Sequence, residues 1–317
     1  MRAKYRHALP QLGDALFLTD GGLETTLVFH EGIDLPHFAA FPLMRTAEGR
    51  AALGRYFAHY VALAKRDRRG LVLESATWRS NPEWGAKLGW SPEALDAVNA
   101  EAIQFLLTIR EREETAASPI VVSGNIGPRG DGYRPDRLMS VAEAEGYHRR
   151  QVEVFAAAGA DLVTVATMNY VEEAIGVALA ARAAGMPVVV SFTVETDGRL
   201  RTGMGLGEAI LACDAATGGH PAYYMVNCAH PTHFRGVLGG AGWAGRIGGV
   251  RANASRMSHD ELDEAPELDA GDPAELAEDY RGLLGILPAL RVLGGCCGTD
   301  HRHIGAISEA CSDVHAT

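Results

Sequence analysis

Leu162-Val163-Thr164-Val165-Ala166-Thr167-Met168, then Ala174-Ile175-Gly176-Val177-Ala178-Leu179-Ala180-Ala181, then Gly185-Met186-Pro187-Val188-Val189-Val190-Ser191-Phe192: across this stretch the hydrophobic period changes twice. The first and last runs are almost continuously apolar and β-branched, which is how strands buried on both faces read. Between them Ala174, Val177-Ala178 and Ala181 recur at helical spacing. Gly185-Met186-Pro187 then stops the helix and starts the next strand. The unit is strand, helix, parallel strand. Working outward, eight such runs stand at 15–22, 71–78, 120–128, 162–168, 187–194, 223–230, 246–255 and 291–299. Helical spacing also links Leu53, Phe57, Tyr60 and Leu63-Ala64; Leu95, Val98, Ala102, Phe105-Leu106 and Ile109; and Leu276, Tyr280, Leu283-Leu284 and Leu287. Eight alternations without a solenoid-length repeat predict a single closed (β/α)8 TIM barrel over residues 1–317, with an open doubly wound sheet as its competitor.

Composition narrows the function classes. The chain has 317 residues, 47% of them hydrophobic and 22% charged, the profile of an ordinary globular protein with a large core. No apolar stretch reaches membrane-spanning length, so no membrane partner is expected. Met1-Arg2-Ala3-Lys4-Tyr5-Arg6-His7 has no apolar signal segment, which predicts a cytoplasmic protein with reduced thiols. A net charge of -11 argues against general affinity for nucleic acid. The expected partners are small molecules, and the sequence sets no oligomeric state.

A barrel of this kind carries its reacting groups where the strands end. Unusual residues fall there: Asp20-Gly21-Gly22, Glu74, Asn125, Asn169, Glu195, Asn227-Cys228, Asn253 and Cys296-Cys297. The cysteines speak most clearly. Gly294-Gly295-Cys296-Cys297-Gly298-Thr299 places two thiols among glycines, which free the backbone to turn both toward one ion. Cys228 closes another run, and three thiolates would hold zinc with a fourth position open, as in catalytic sites. Inert burial is the plain alternative and is the reading given to Cys213 and Cys311. A structural zinc would need a fourth protein ligand, for which His230, His301 and His303 are the candidates nearby in sequence. A disulfide between adjacent Cys296 and Cys297 is disfavoured by its geometry.

Zinc on three thiolates activates water weakly but binds a further thiol as thiolate, a nucleophile at neutral pH. Its natural reaction is attack on a methyl carried by a sulfonium or quaternary ammonium. Trp78, Trp84 and Trp90 could form a face for such a cation, or simply pack a loop. The acidic stretch Asp260-Glu261-Leu262-Asp263-Glu264, with Glu267, Asp269 and Asp272, reads as a solvated face.

Together, Asp20-Gly21-Gly22 with Glu24-Thr25-Thr26-Leu27, Asn227-Cys228 and the Gly294–Thr299 stretch resemble the zinc-dependent homocysteine S-methyltransferase family. The resemblance spans nearly the whole chain. It implies a (β/α)8 barrel in which Cys228, Cys296 and Cys297 hold Zn2+, and a methyl group passes from a donor to the homocysteine thiol, giving methionine. It also implies that Asp20, Gly21 and Gly22 line the amino-acid pocket. Two positions depart from the family pattern. Ala166 stands where relatives usually carry a glutamate for the amino group of homocysteine. Trp78 and Arg79 stand where relatives carry a Tyr or Gln beside the metal. Asp20 and Glu74 are the catalytic candidates. Gly21, Gly22, Thr77, Trp78, Arg79, Asn125, Glu195 and Asn253 are the substrate-binding candidates. Arg79 suits a carboxylate, and Glu74 or Glu195 could replace the missing amino anchor. The alternatives are demethylation of a specialised onium compound with another thiol as acceptor, and a non-catalytic barrel stapled by zinc.

Overall fold

The computed structural model describes residues 2–135, 137–239, 242–265 and 267–312. Eight parallel strands close into a barrel in chain order: β1 Phe17–Leu18, β2 Gly70–Glu74, β3 Ile120–Ile126, β4 Leu162–Met168, β5 Val188–Phe192, β6 Tyr223–Asn227, β7 Ile247–Ala252 and β8 Val292–Gly295. Closure is made where Phe17 pairs with Val292 and Leu18 with Leu293, which excludes the open sheet. All eight runs read from the sequence are strands. Several of them overrun the observed C-terminal ends, because the polar residues there leave the ladder to build the loops above the barrel.

Helices α1 Ala47–Asp67, α2 Pro92–Glu113, α3 Val141–Ala158, α4 Val171–Ala183, α5 Leu206–Thr217, α6 Pro273–Leu284 and α7 His301–Ala310 pack outside. Their starts are written in the sequence. Thr46 accepts from the Gly49 amide, Ser140 and Glu143 form a capping box, and Asp272 accepts from Ala274 and Glu275. One connection departs from the expected alternation. Between β6 and β7 the described residues hold only the short helix Pro231–Phe234 and 3-10 turns, among them Gly242–Arg246. The segment after β7 contains His259–Glu264, whose Asp260 pairs with Arg134 and Arg201 at the surface. The side chain of Asp263 lies outside the described residues.

The period of two along each strand decides what fills the barrel. At its lower end Phe17, Val72, Val121, Leu162, Val189, Met225 and Val292 form one apolar cluster, with Leu9 packed onto it. Two to four residues further along β2 to β6 the inward positions turn polar, at Glu74, Ser123, Asn125, Thr164, Ser191 and Asn227, and Arg251 of β7 joins them. Ser123 and Thr164 share a hydrogen bond of 2.8 Å, and Ser191 donates to Asn227 Oδ1 at 2.6 Å. The apolar layer fixes the barrel, and the polar layer above it becomes the floor of the site.

Candidate metal and substrate site

Cys228, Cys296 and Cys297 converge at the upper end of the barrel, with sulfur atoms all within 4.8 Å of one another. Two residues get them there against local preference. Cys228 takes a positive φ of 54°, and Thr167, facing it from the end of β4, takes 63°. Such conformations cost about 1–3 kcal/mol each for non-glycine residues. Asn227 holds both: its Oδ1 accepts from the Thr167 amide at 2.9 Å, and its Nδ2 donates to Thr167 Oγ1 at 2.9 Å and to Cys228 Sγ at 3.3 Å. The β4–β5 register shifts between Val165 and Met168, where Thr167 turns. The cysteine loop of β8 is locked onto the first loop. Gly22 donates to the Thr299 carbonyl at 3.0 Å, and a Cβ on Gly22 would lie 2.6 Å from the Cys296 carbonyl oxygen. Gly298 (φ 78°) supplies the turn that ends the motif.

Cys228 and Cys296 are joined as a disulfide with Cα atoms 5.3 Å apart, and Cys297 is free. The pairing is thus across two strands rather than between the adjacent cysteines. The donor set fits a thiophilic ion such as zinc. A tetrahedral site with Zn–S near 2.3 Å has an edge of roughly 3.8 Å, within reach of small side-chain rotations from the spacing here. Asn227 Nδ2 also lies 4.0 Å from Cys296 Sγ, and the Tyr133 hydroxyl lies 3.8 Å from Cys297 Sγ, so hydrogen-bond donors surround the sulfurs. Burial pushes the Cys297 thiol up to about 11, and burial followed by the neighbouring Cys297 pushes Tyr133 well above the ordinary phenol range. Among the described residues no histidine, aspartate or glutamate joins the three sulfurs. His230 faces Asp279, His301 stacks on His59, and His303 bonds the Ala270 carbonyl. The fourth ligand that a structural zinc requires is absent from that set.

Below the thiols, Arg251 of β7 crosses the barrel. Its guanidinium donates to Asp20 Oδ1 at 2.7 Å, to Glu74, and to the carbonyls of Gly21 and Gly295. Tyr56 donates to the other Asp20 oxygen at 3.0 Å, and Asn125 Nδ2 donates to Glu74 at 3.3 Å. Burial raises the pKa of both acids, with Arg251 opposing it. Burial pulls Arg251 down, but Asp20 and Glu74 outweigh it and the guanidinium stays charged. Arg251 was not among the candidates read from the sequence. Its signal was there: a lone charge in an apolar strand, on the same parity as Asn253.

A cavity of about 430 Å3 opens above this floor. Asp20, Gly21, Gly22, Glu74, Trp78, Arg79, Asn125, Asn253, Ala166 and the three cysteines all lie on its wall. Thr77 is buried behind it, donating to the Asn125 carbonyl at 2.8 Å. Glu195 is off the wall, paired with Arg201 and His259. Asn169 braces a loop through the Gly132 carbonyl. Of the three clustered tryptophans only Trp78 reaches the cavity, and the cation on the aromatic faces is the protein's own. The Arg79 guanidinium stacks 3.7 Å from the Trp84 ring centroid and 4.7 Å from that of Trp78. Trp90 packs edge-on against Phe41 at 5.0 Å. Glu24, Tyr133 and His259 also line the wall and were not among the site candidates: Tyr133 sits in an irregular loop, His259 opens the short helix after β7, and Glu24 was read only as part of the family motif. Burial raises the Glu24 carboxyl to about 7.

No helix among the described residues is long and apolar enough to cross a membrane. No curated protein sequence matches the chain. Among solved structures it is similar to the Escherichia coli homocysteine methyltransferase MmuM. The oxidized form matches with a TM-score of 0.74 at 23% identity, over 96% of this chain and 99% of that one. The metallated form gives 0.71 at 21% identity over the same shares. At these identities the likeness bears on fold alone. The sequence model of the homocysteine S-methyltransferase family, however, matches residues 17–311. The chain therefore belongs to the homocysteine S-methyltransferase family, and it is a methyltransferase whose reaction is methyl transfer to homocysteine.

Proposed function

We propose that Cys228, Cys296 and Cys297 hold zinc and that the methyl donor is a small sulfonium or quaternary ammonium compound, with methionine as product. The observation that carries this reading is the convergence of three sulfurs, without a fourth ligating side chain among the described residues, on the wall of a cavity sized for a small molecule. Zinc bound there would supply one thing, a substrate thiol kept as thiolate at neutral pH. The chain's own residues do the rest. Asn227 donates toward two of the cysteine sulfurs and Tyr133 lies beside the third, orienting them and tempering their charge. The Asp20–Arg251–Glu74 layer closes the floor and holds Gly21 and Gly295 by their carbonyls, so the first and last loops keep a fixed separation. A direct displacement needs the thiolate and the donor methyl held in line, and these loops provide the walls that align them.

Incubating the reduced, zinc-loaded protein with L-homocysteine and S-methylmethionine, betaine or dimethylsulfoniopropionate should yield methionine with one of them. Zinc-loaded protein that forms methionine with no onium donor would overturn the donor assignment. Metal uptake itself should be gated by thiol state. The Cys228–Cys296 bond uses two of the three ligands, so the oxidised protein is expected to take up no zinc, and reduction to restore one equivalent. Under denaturing conditions, thiol titration should rise on reduction from the free Cys213, Cys297 and Cys311 to all five cysteines. Stoichiometric uptake by fully oxidised protein would place the metal elsewhere.

A further inference from the structure

Nearly all the charge on the cavity wall is committed to the protein itself. Asp20 and Glu74 are bound by Arg251, and Asp269 accepts from Ser255 Oγ at 2.6 Å and from the Gly271 amide at 3.0 Å. Asp131 accepts from the Tyr133 and Arg134 amides, and Glu267 stands exposed at the rim. Among the described residues of the wall, two groups of opposite sign remain. Among the described residues no side chain pairs with Glu24, which lies half-buried on the wall beside the glycine motif. Arg79 is held flat by Trp78 and Trp84 with only 10% of its side chain exposed. Its nearest carboxylate, Asp131, is 4.0 Å away, and its Nε and Nη1 are buried with no hydrogen-bond partner.

A guanidinium that is nine-tenths buried, with one carboxylate 4.0 Å away and two nitrogens left without a hydrogen bond, is costly to keep unless something bonds them. A carboxylate and a guanidinium that line one cavity without bonding each other can receive a cation beside one and an anion beside the other. The methyl side chain of Ala166, at the end of β4, brings no charge to the same cavity.

We propose that Glu24 and Arg79 are the specificity-determining pair for the acceptor, Glu24 receiving the α-ammonium and Arg79 the α-carboxylate of homocysteine and of the methionine it becomes. This rests on the reading of homocysteine as acceptor. It also reassigns the amino anchor. Glu74 is bound by Arg251 and Glu195 is off the wall, so neither residue singled out from the sequence is free to serve. Trp78 and Trp84 act as positioning residues, since stacking fixes the plane of the guanidinium fork that a carboxylate meets edge-on.

The test is equilibrium binding by calorimetry to the reduced, zinc-loaded protein. Its three probes are L-methionine, methylthiobutanoate, which lacks the amino group, and methylthiopropylamine, which lacks the carboxylate. The wild type should bind methionine about tenfold or more tighter than either analogue, the worth of one charge-assisted hydrogen bond. Glu24→Gln should abolish the preference over methylthiobutanoate and keep the preference over methylthiopropylamine. Arg79→Met should do the reverse. If Arg79→Met fails to fold, the two ratios in Glu24→Gln decide alone, because one must collapse while the other stands. Wild-type protein that binds all three probes alike, or ratios that Glu24→Gln leaves unchanged, would overturn the assignment. Methionine synthesis measured on the same samples keeps the two readings apart: the probe pattern without synthesis sinks the reaction and leaves the pair, and synthesis without the pattern does the opposite.

Discussion

Cys297→Ser is expected to lose zinc and methyl transfer together, with zinc affinity falling roughly a hundredfold or more and turnover reaching the background of the assay. The position suits the test because Cys297 is free in the disulfide form of the site, so its substitution breaks no cross-strand bond and disturbs only the contact with the Tyr133 hydroxyl. Serine is nearly isosteric, but its hydroxyl does not ionise near neutral pH and is a poor match for a thiophilic ion. Removing one of the three cysteine ligands therefore leaves an ion held by two. Thermal unfolding supplies the control. Excess zinc should raise the melting temperature of the reduced wild type by mass action and leave that of the variant almost unmoved. The same site carries a pH signature. Burial pushes the Cys297 thiol up to about 11, so metal binding must expel its proton, and zinc affinity should strengthen as pH rises from about 6 to about 9. A variant that binds zinc weakly yet keeps full turnover would separate the metal from the chemistry and defeat the mechanism.

The barrel was legible because burial on both faces writes strands as apolar runs and the helices between them change the period, as in 162–192. The metal candidates were legible because cysteine among glycines has few other uses. What could not be read was partnership across the barrel. Glu74 stood out as a polar residue at a strand end, yet its binding to Arg251 depends on two strands on opposite sides of the closed sheet meeting through their interior. The tryptophans were legible as a cluster, but whether their faces await a ligand or hold Arg79 turns on side-chain packing that spacing does not encode. Ends of strands were overrun for a related reason. Residues such as Ser75 and Asn253 continue the apolar run's neighbourhood while their backbone has already turned to line the site.

The buried layer under the thiols yields the largest effect on stability. Arg251→Met keeps volume and removes the charge that Asp20 and Glu74 share, leaving two carboxylates buried without their cation. Breaking a buried pair this way costs about 3–5 kcal/mol, and here one guanidinium serves two acids. Burial already lifts both carboxyls above their ordinary range against the pull of Arg251, and without Arg251 they should rise further. An acid whose folded-state pKa lies above its unfolded value contributes stability that is present at low pH and lost as pH climbs through the folded value. The variant loses more over that climb than the wild type does. The gap between the two proteins should therefore be wide near about pH 8 and narrow toward about pH 5, where the orphaned acids take up protons. Urea unfolding of the reduced, zinc-free proteins reads this without interference from the metal. Arg251→Lys restores a charge but not the fork that reaches Asp20, Glu74 and two carbonyls at once, so it should fall between the two. Equal destabilisation of Arg251→Met at both pH values would mean that lost packing, not unpaired charge, sets the cost, and the layer would be a spacer rather than an ionic floor.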